Sequence, residues 1–325
     1  MPELRRDRLS GRWVSYAPER AKRPMPAHEG SALLDDPENC PFCPGHEHMT
    51  APATLAVLKE GSGLVLRREN GEERSKDWLV RIVPNLYPAF SPQDTLILNR
   101  EKIPTTGFHE VLIDTPKHYG DPWKLDVEEL YAILLAAETR LRELESMAEI
   151  KAVAFAKNHG PFSGGSLRHP HTHLVALPIV PPLLESEAEA LRKEGCVLCA
   201  ESESPRLVLS SEGFKAFTSH AGREPYELIV APKRHEREFT QVSEEELHEL
   251  AEVLLKLFKA VHRVLGESSF NLVLHTMPKT VKDFHWHIEL IPRLLLPTGI
   301  DVGLQVYVNT LPPEEAAKRL REALE

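Results

Sequence analysis

The sequence predicts an α+β protein that is built from two similar halves in tandem. Two observations predict this class: the order strand, turn, helix, strand and histidine segment occurs twice, and each half begins with a Cys-x-x-Cys pair. A chain of 325 residues is long enough to give both halves a sizeable core. We expect residues 1–180 to form an N-terminal catalytic half and residues 181–325 a degenerate C-terminal half.

In the first half, residues 110–118 have the pattern of a strand that ends in a turn. Asp126 then begins a helix, and Glu129 completes a capping box with it. Apolar residues recur at helical spacing along this segment. Residues 152–156 predict a second strand, which leads through a loop of small residues to the run His169-Pro170-His171-Thr172-His173.

The second half repeats this order. Residues 227–235 predict the strand and turn, Ser243 and Glu246 form the capping box, and Gly266 is suited to end the helix. A strand follows at residues 271–275, and the segment from His285 to Glu289 closes the unit. His118 and His169 are 51 residues apart in the first half, and His235 and His285 are 50 residues apart in the second. The chain is therefore an internal duplication.

Three histidines at alternate positions are the strongest functional signal. On a strand, His169, His171 and His173 are expected to point to one face. Clustered imidazoles suit a metal ligand, a base or a nucleophile, whereas the alternative is a chance run on a solvated strand. The preceding loop, Ser163-Gly164-Gly165-Ser166, leaves backbone N–H groups free to approach a phosphate.

The cysteines indicate two metal sites. A Cys-x-x-Cys pair is half of a zinc site, although a redox pair or inert buried thiols are alternatives. Matching positions in the two halves supply two thiolates and two imidazoles each, which suits a closed tetrahedral zinc site of structural type. The two predicted ligand sets are Cys40, Cys43, His118 and His169 in the first half, and Cys196, Cys199, His235 and His285 in the second.

If zinc takes His169, then His171 is the free imidazole beside the loop. An imidazole can attack phosphorus and later leave, which gives a covalent intermediate. The nearest groups to hold the phosphoryl oxygens are Asn158, Ser163, Ser166 and the amides of Gly164 and Gly165, although Asn158 and Ser166 also suit ordinary turns. The second half lacks the small-residue loop and has Glu289 where the first has His173, so we interpret it as a structural duplicate.

Composition excludes some functions. The formal net charge of -10 offers no basic surplus, which argues against a general nucleic-acid binder. No apolar stretch is long enough to span a bilayer, and the first residues lack the hydrophobic core of a signal peptide. We therefore expect a cytoplasmic protein with no membrane partner.

Several motifs together resemble the galactose-1-phosphate uridylyltransferases of the histidine-triad superfamily, over almost the whole length. These motifs are residues 7–14, residues 17–24, Cys40-Pro41-Phe42-Cys43-Pro44-Gly45, Val83-Pro84-Asn85-Leu86-Tyr87-Pro88 and His169-Pro170-His171. The resemblance implies two histidine-triad-like halves, each an antiparallel half-barrel sheet with helices packed outside. It also implies a homodimer with its site near the subunit interface.

The resemblance further implies a ping-pong uridylyl transfer, an activity of galactose metabolism. His171 would attack the α-phosphorus of UDP-glucose and release glucose 1-phosphate, and galactose 1-phosphate would then take the uridylyl group. Matching positions assign Arg20 and Arg23 to phosphate contacts and Asn85 to the uridine pocket. Asn158 and Ser166 match residues around the transferred phosphoryl group, and His118 and His169 match zinc ligands.

Three departures from the family pattern leave the substrate open. His173 stands where the uridylyltransferases carry glutamine and resembles the hydrolase branch, and residues 298–305 match the hexose-contacting stretch poorly. Some members bind iron in the second half, for which Glu187, His275, His285 and His287 are candidates, but the intact second cysteine pair favours zinc, as in the similar ADP-glucose phosphorylases. Alternative functions are an ADP-glucose or diadenosine polyphosphate phosphorylase, a nucleotide hydrolase, or a nucleotide-binding protein without turnover.

Overall fold

A computed structural model describes residues 3–22, 33–61, 63–92, 103, 105–277, 281 and 283–325. Arg23, which was expected to contact phosphate, lies outside the described residues. Within the described residues the chain forms fourteen strands and five α-helices. The strands are β1 (Glu3–Arg6), β2 (Trp13–Tyr16), β3 (Leu55–Glu60), β4 (Gly63–Arg67), β5 (Trp78–Pro84), β6 (Phe108–Ile113), β7 (Ala152–His159), β8 (His171–Leu177), β9 (Leu207–Ser210), β10 (Phe214–Thr218), β11 (Leu228–Pro232), β12 (Phe270–His275), β13 (His287–Pro292) and β14 (Val306–Asn309). The helices are α1 (Val127–Ser146), α2 (Pro182–Glu194), α3 (Glu244–Leu265), α4 (Gly299–Leu304) and α5 (Pro313–Leu324).

One large antiparallel sheet joins the two halves. Among the described residues it has eleven strands in the order β4-β3-β5-β6-β8-β7-β12-β13-β11-β10-β9. The halves meet where β7 pairs with β12, and Asn158 lies opposite Asn271 at this junction. A separate small sheet has the order β1-β2-β14. The predicted α+β class with two tandem halves is confirmed, while the division at residue 180 stays a prediction.

The helix signals in the sequence are confirmed. Both expected capping boxes are present, Asp126 with Glu129 on α1 and Ser243 with Glu246 on α3. Gly266 ends α3 with a φ of 69°, a conformation that glycine adopts without the steric cost that a side chain carries.

Helices cover one face of the large sheet, and this face forms the main core. Leucine, valine and alanine side chains of α1, α3 and α5 pack there against β3, β6, β8, β12 and β13. On the opposite face, α2 packs on the second half through Leu184, Ala188 and Leu191, which meet Ile229 and Ala231 of β11. In the first half this opposite face carries the histidines and stays partly exposed.

The histidine strands are shorter than the sequence predicts. Strand β8 begins at His171, so His169 lies just before the strand, although its ring and that of His171 both contact Phe42. Pro170 has no N–H group to extend the ladder, although its carbonyl oxygen still accepts from the Asp114 amide at 3.1 Å. In the second half, β13 likewise begins at His287 and leaves His285 outside.

Strand β7 is longer than expected and continues to His159, which makes Asn158 a strand residue and excludes the turn alternative for it. No helix in the described part of the chain combines the length and the apolar character that a membrane crossing requires.

Candidate active site and metal sites

The imidazole of His171 has the geometry of a nucleophile. Its Nδ1 lies 2.8 Å from the backbone carbonyl oxygen of His169, which can only accept, so the proton resides on Nδ1 and the lone pair on Nε2. Burial lowers the pKa of His171 and keeps the ring neutral. The side chain is only 6% exposed and packs on Phe42, with 5.5 Å between the ring centroids. A buried, neutral and oriented imidazole is prepared to attack phosphorus.

The loop of small residues connects β7 with β8, whose first residue is His171. Ser163 is anchored by its own hydroxyl, which donates to the Gly160 carbonyl oxygen at 2.7 Å. Gly164 has a φ of 87°, which a side chain would strain. Among the described residues, the N–H groups of Gly164, Gly165 and Ser166 meet no protein acceptor. Free amides on a tight loop can form a nest for an anion, and this role of the loop stays a prediction.

Asn158 is held by a residue that sequence reasoning missed. The side-chain amide of Asn271 donates to Asn158 Oδ1 at 2.7 Å and to the Ser163 carbonyl oxygen at 3.0 Å. Because its oxygen is engaged, Asn158 presents its nitrogen as the group that can donate to a phosphoryl oxygen. Sequence reasoning could not find Asn271, because it lies 113 residues from Asn158 along the chain. The two side chains meet only through the pairing of β7 with β12.

His173 lies on the same face as His171, with 5.4 Å between the two ring centroids. A second missed residue, His109 on β6, contacts it: the His109 Nε2 lies 3.1 Å from the His173 Nδ1. Asn85 lies beside this pair, its amide nitrogen 3.2 Å from His109 Nε2. The structure therefore brings Asn85, Asn158, His171 and His173 to one surface with the loop.

The first metal set converges as predicted. Cys43 Sγ lies 3.3 Å from His118 Nδ1 and 3.5 Å from His169 Nδ1. Cys40 Sγ lies 3.6 Å from the same His169 nitrogen. The other ring nitrogens are also engaged, His169 Nε2 by the Thr115 carbonyl oxygen at 2.8 Å and His118 Nε2 by Asp35 at 3.1 Å. Such outer partners orient imidazole ligands toward a metal.

The second set has the same plan. Cys196 Sγ lies 3.1 Å from His285 Nδ1, and Cys199 Sγ lies 3.4 Å from His235 Nδ1 and 3.5 Å from His285 Nδ1. The His285 Nε2 donates to the Pro232 carbonyl oxygen at 3.0 Å, as His169 does in the first half. Both halves thus orient the buried histidine by a carbonyl group.

Both sets fit a zinc ion. In a tetrahedral zinc site, neighbouring sulfur and nitrogen ligands lie about 3.6 Å apart, close to the separations in both sets. Burial raises the pKa of Cys43 to about 12 and that of Cys196 to about 11, so these thiols become thiolates only when a cation compensates their charge. The chemistry of the donors and their spacing agree with the predicted ligands.

The iron alternative does not assemble as expected. His285 belongs to the second cysteine set, and the remaining candidates Glu187, His275 and His287 group with Glu289 instead. Cationic side chains already engage this group: Arg223 lies 2.5 Å from Glu289, while Glu187 accepts from His275 Nδ1 at 3.0 Å. The reason for the difference is that His285 precedes β13, whereas His287 and Glu289 lie on its inner face.

Among the described residues, the counterpart of His171 in the second half is covered. His287 copies the nucleophile's orientation, with Nδ1 3.0 Å from the His285 carbonyl oxygen, but its side chain is 0% exposed. Arg223 and Arg12 bind the Glu289 carboxylate that replaces the third histidine. The fully covered ring supports the interpretation of this half as a structural duplicate.

Arg20 is placed away from His171. It lines a cavity of about 320 Å³ together with residues of the second half. Other walls of this cavity are Arg223, Glu224, Arg293, Asp301 and Tyr307. Within one chain, the structure thus does not bring Arg20 to the histidine surface.

Comparison with known proteins agrees with this architecture. The model of the N-terminal domain of DUF4931, a domain of unknown function, matches residues 84–180, and the HIT domain model matches residues 201–293. The chain is 28% identical to an ADP-glucose phosphorylase of Arabidopsis thaliana, over 99% of this chain and 93% of that protein. It is 26% identical to a galactose-1-phosphate uridylyltransferase of Thermotoga maritima, over 99% of this chain and 98% of that protein.

Solved structures show the same relationship. An Arabidopsis thaliana ADP-glucose phosphorylase with bound ADP-glucose superposes with a TM-score of 0.85 at 28% identity, over 99% of both chains. A uridylyltransferase structure gives a TM-score of 0.74 at 26% identity, over 100% of this chain and 98% of the other. Both relatives match from end to end, so the duplicated architecture is shared as a whole. Together with the histidine site and the two Cys₂His₂ sets, these findings identify the chain as a member of the histidine-triad superfamily that is related to the galactose-1-phosphate uridylyltransferases.

Proposed function

We propose that this protein transfers a nucleotidyl group from a nucleoside diphosphate sugar through a covalent intermediate on His171. The observation that carries the proposal is the hydrogen bond from His171 Nδ1 to the His169 carbonyl oxygen, which leaves the lone pair of Nε2 available for attack. In the first step, Nε2 forms a bond to the α-phosphorus, and the bond to the bridging oxygen breaks. Hexose 1-phosphate leaves with that oxygen.

In the second step, an anionic acceptor attacks the phosphorus from the side on which the sugar phosphate left. The P–N bond breaks, and its electron pair returns to His171 Nε2. The amides of the loop and the nitrogen of Asn158 stabilise the charge on the non-bridging oxygens in both steps. The nucleophile His171 therefore needs no general base in the first step, because its Nε2 carries no proton.

ADP-glucose is the first candidate donor, with inorganic phosphate as acceptor and ADP and glucose 1-phosphate as products. The end-to-end likeness to the ADP-glucose phosphorylase supports it. The complete second Cys₂His₂ set and the histidine at position 173 are further support.

UDP-glucose with galactose 1-phosphate as acceptor is the second candidate, and it was the first expectation from the sequence. The position of Asn85 beside the His109 and His173 rings supports it, because Asn85 matches the uridine pocket of the resembling family. An adenine-specific phosphorylase or hydrolase and a binding protein without turnover are separated from it by the same experiment.

We propose zinc as the resident metal of both Cys₂His₂ sets. Bound zinc would supply four tetrahedral bonds that tie the start of each half to its histidine segment. Through His169, the first set holds the carbonyl oxygen that orients His171. We assign no zinc a role in the reaction itself.

We also propose a homodimer, in which Arg20 of one chain approaches the histidine surface of the other. Support comes from the partly exposed histidine face and from the placement of Arg20 in a separate cavity of its own chain. Mixing an Arg20→Ala variant with a His171→Gln variant tests this arrangement. Recovery of part of the lost activity on mixing supports it, and no recovery in mixed dimers argues that each chain works alone.

Intact-mass analysis tests the proposed function. The protein is incubated separately with UDP-glucose, ADP-glucose and ATP, and the mass added identifies the nucleotide. We expect one nucleotidyl group for each chain and none on His171→Gln. Labelling by ADP-glucose alone, with turnover when phosphate is added, selects the phosphorylase; labelling by UDP-glucose alone, with galactose 1-phosphate as acceptor, selects the uridylyltransferase. Tight nucleotide binding without any adduct refutes nucleotidyl transfer.

A further inference from the structure

We propose that His109 is a positioning residue that sets the tautomer of His173, so that the Nε2–H of His173 donates to the phosphoryl group during transfer. This inference rests on the proposed nucleotidyl transfer at His171. It assigns a role to a residue that carries no motif in the sequence, and it explains how a histidine can serve as a hydrogen-bond donor at position 173.

The hydrogen bonds around His109 determine its protonation. The backbone N–H of Ala89 donates to His109 Nδ1 at 3.1 Å, so Nδ1 is an acceptor. A neutral imidazole with an accepting Nδ1 carries its proton on Nε2. That Nε2 lies 3.1 Å from His173 Nδ1. His109 therefore donates to His173.

The consequence for His173 follows from the same rule. Its Nδ1 accepts from His109, so its own proton is on Nε2. The two nitrogens of an imidazole point in different directions, and the donor therefore faces away from His109. The neighbouring ring on the strand is His171, 5.4 Å away between centroids. His173 thus offers its Nε2–H as a donor next to His171, where the uridylyltransferases carry the side-chain amide of a glutamine.

Asn85 cannot accept the His109 proton, because it turns its amide nitrogen toward the ring; with Nε2 protonated, the two nitrogens 3.2 Å apart are both donors and make no hydrogen bond with each other. The Asn85 Oδ1 accepts from the Tyr87 N–H at 2.9 Å, which orients the amide nitrogen toward His109 Nε2. The amide nitrogen of Asn85 is a donor, so it cannot accept the proton of His109 Nε2. The His173 Nδ1 is the acceptor that remains for the His109 proton.

Burial keeps both rings neutral, which a tautomer relay requires. Desolvation lowers the pKa of His109, and desolvation with the neighbouring His171 and His109 lowers the pKa of His173 to about 4. A charged His173 would carry protons on both nitrogens and would collide with the His109 donor.

The covered half offers an internal comparison. His109 precedes the metal histidine His118 by nine residues, and the residue nine positions before His235 is Tyr226. Glu289 takes the place of His173 there. The half that has no open nucleophile thus lacks both members of the pair, as expected if the pair serves transfer and not folding.

A double-mutant cycle tests the proposal in the full-length protein, with the rate of adduct formation on His171 as the readout. His109→Phe removes the donor but keeps an aromatic ring, and we expect about a tenfold slower rate with a smaller change in KM, in proportion to one lost hydrogen bond. His109→Gln keeps a donor at the position of Nε2 and should restore the rate. In a His173→Gln background the amide supplies the donor directly, so His109→Phe should then change the rate less than about threefold. Equal losses in both backgrounds would show that His109 acts only through packing and would overturn the proposal.

The tautomer itself is measured without substrate. With ¹⁵N-labelled histidine, the His173 Nδ1 should give the shift of an unprotonated nitrogen in the unaltered protein and in His109→Gln. In His109→Phe it should move toward a mixture of tautomers. A protonated Nδ1 in the unaltered protein refutes the relay even if His171 forms an adduct. Failure of the unaltered protein to form any adduct instead refutes the proposed function, and with it this inference.

Discussion

His171 donates its Nδ1 proton to the backbone carbonyl oxygen of His169 across 2.8 Å, and the His169 ring faces the thiols of Cys40 and Cys43. The proposed nucleophile and the first Cys₂His₂ set are therefore linked through a single residue. In the second half, His287 and His285 have the same relationship, but there the histidine is covered. This difference separates the two metal sets in function.

We therefore expect loss of the first metal to affect the reaction more than loss of the second. Cys40→Ser should lower the zinc content from about two ions to about one for each chain, and should slow adduct formation strongly because the His169 carbonyl moves. Cys196→Ser should lower the zinc content equally, but its rate of adduct formation should stay closer to that of the unaltered protein than the rate of Cys40→Ser does. Metal analysis and mass spectrometry on the folded fraction measure both. Equal loss of rate in the two variants would contradict the link.

The nucleophile itself is tested by a matched pair. His171→Gln should abolish the adduct, since it removes the ring nitrogen that is proposed to attack phosphorus. His287→Gln changes the corresponding residue of the covered half and should leave the adduct intact, although it should lower stability by about 1–3 kcal/mol through the buried polar group. Adduct formation and chemical denaturation are the measurements. An adduct on His171→Gln would place the nucleophile elsewhere.

Asn271 should act through Asn158. Asn271→Ala frees the Asn158 amide to rotate, and the loss of one oriented hydrogen bond should slow transfer by about five- to tenfold. Single-turnover rates with the nucleotide sugar measure the effect. The control is the double variant with Asn158→Ala, which should be no slower than Asn158→Ala alone. Additive losses would mean that Asn271 contributes independently, for example through its bond to the loop.

Glu224 predicts a pH dependence of stability. Burial raises its pKa to about 7, while the Arg293 guanidinium, 3.8 Å away, opposes part of this shift. A raised folded-state pKa stabilises the protein below the unfolded pKa, and this contribution disappears as the pH rises through about 7. Glu224→Gln should therefore remove the decline in unfolding free energy that the raised pKa predicts between about pH 4.5 and pH 7. Urea titrations across this range measure it, with the exposed Glu72→Gln as control, which should retain the decline.

Local patterns in the sequence were sufficient for the repeat, both capping boxes and both Cys₂His₂ sets. These features depend on residues that are close in sequence: a helix cap and its partner lie three residues apart, and so do the two cysteines of each pair. The duplicated spacing then related distant histidines to each pair. The choice of His171 over His169 as nucleophile came from the same reasoning, because one of the two was assigned to the metal, and it stays a prediction.

Tertiary structure alone decided the partners of these residues. His109 and Asn271 reach the site only through the pairing of β6 with β8 and of β7 with β12, over separations of 64 and 113 residues. The sequence also did not predict that His169 lies outside strand β8 or that Arg20 lies away from the histidine surface. Nor did it predict that Glu289, and not His285, joins Glu187, His275 and His287. The physical reason is that strand register, ring tautomer and chain path depend on contacts between segments that have no common local pattern. The sequence by itself determined which groups are candidates for the chemistry, and the folded sheet decided which neighbours orient them.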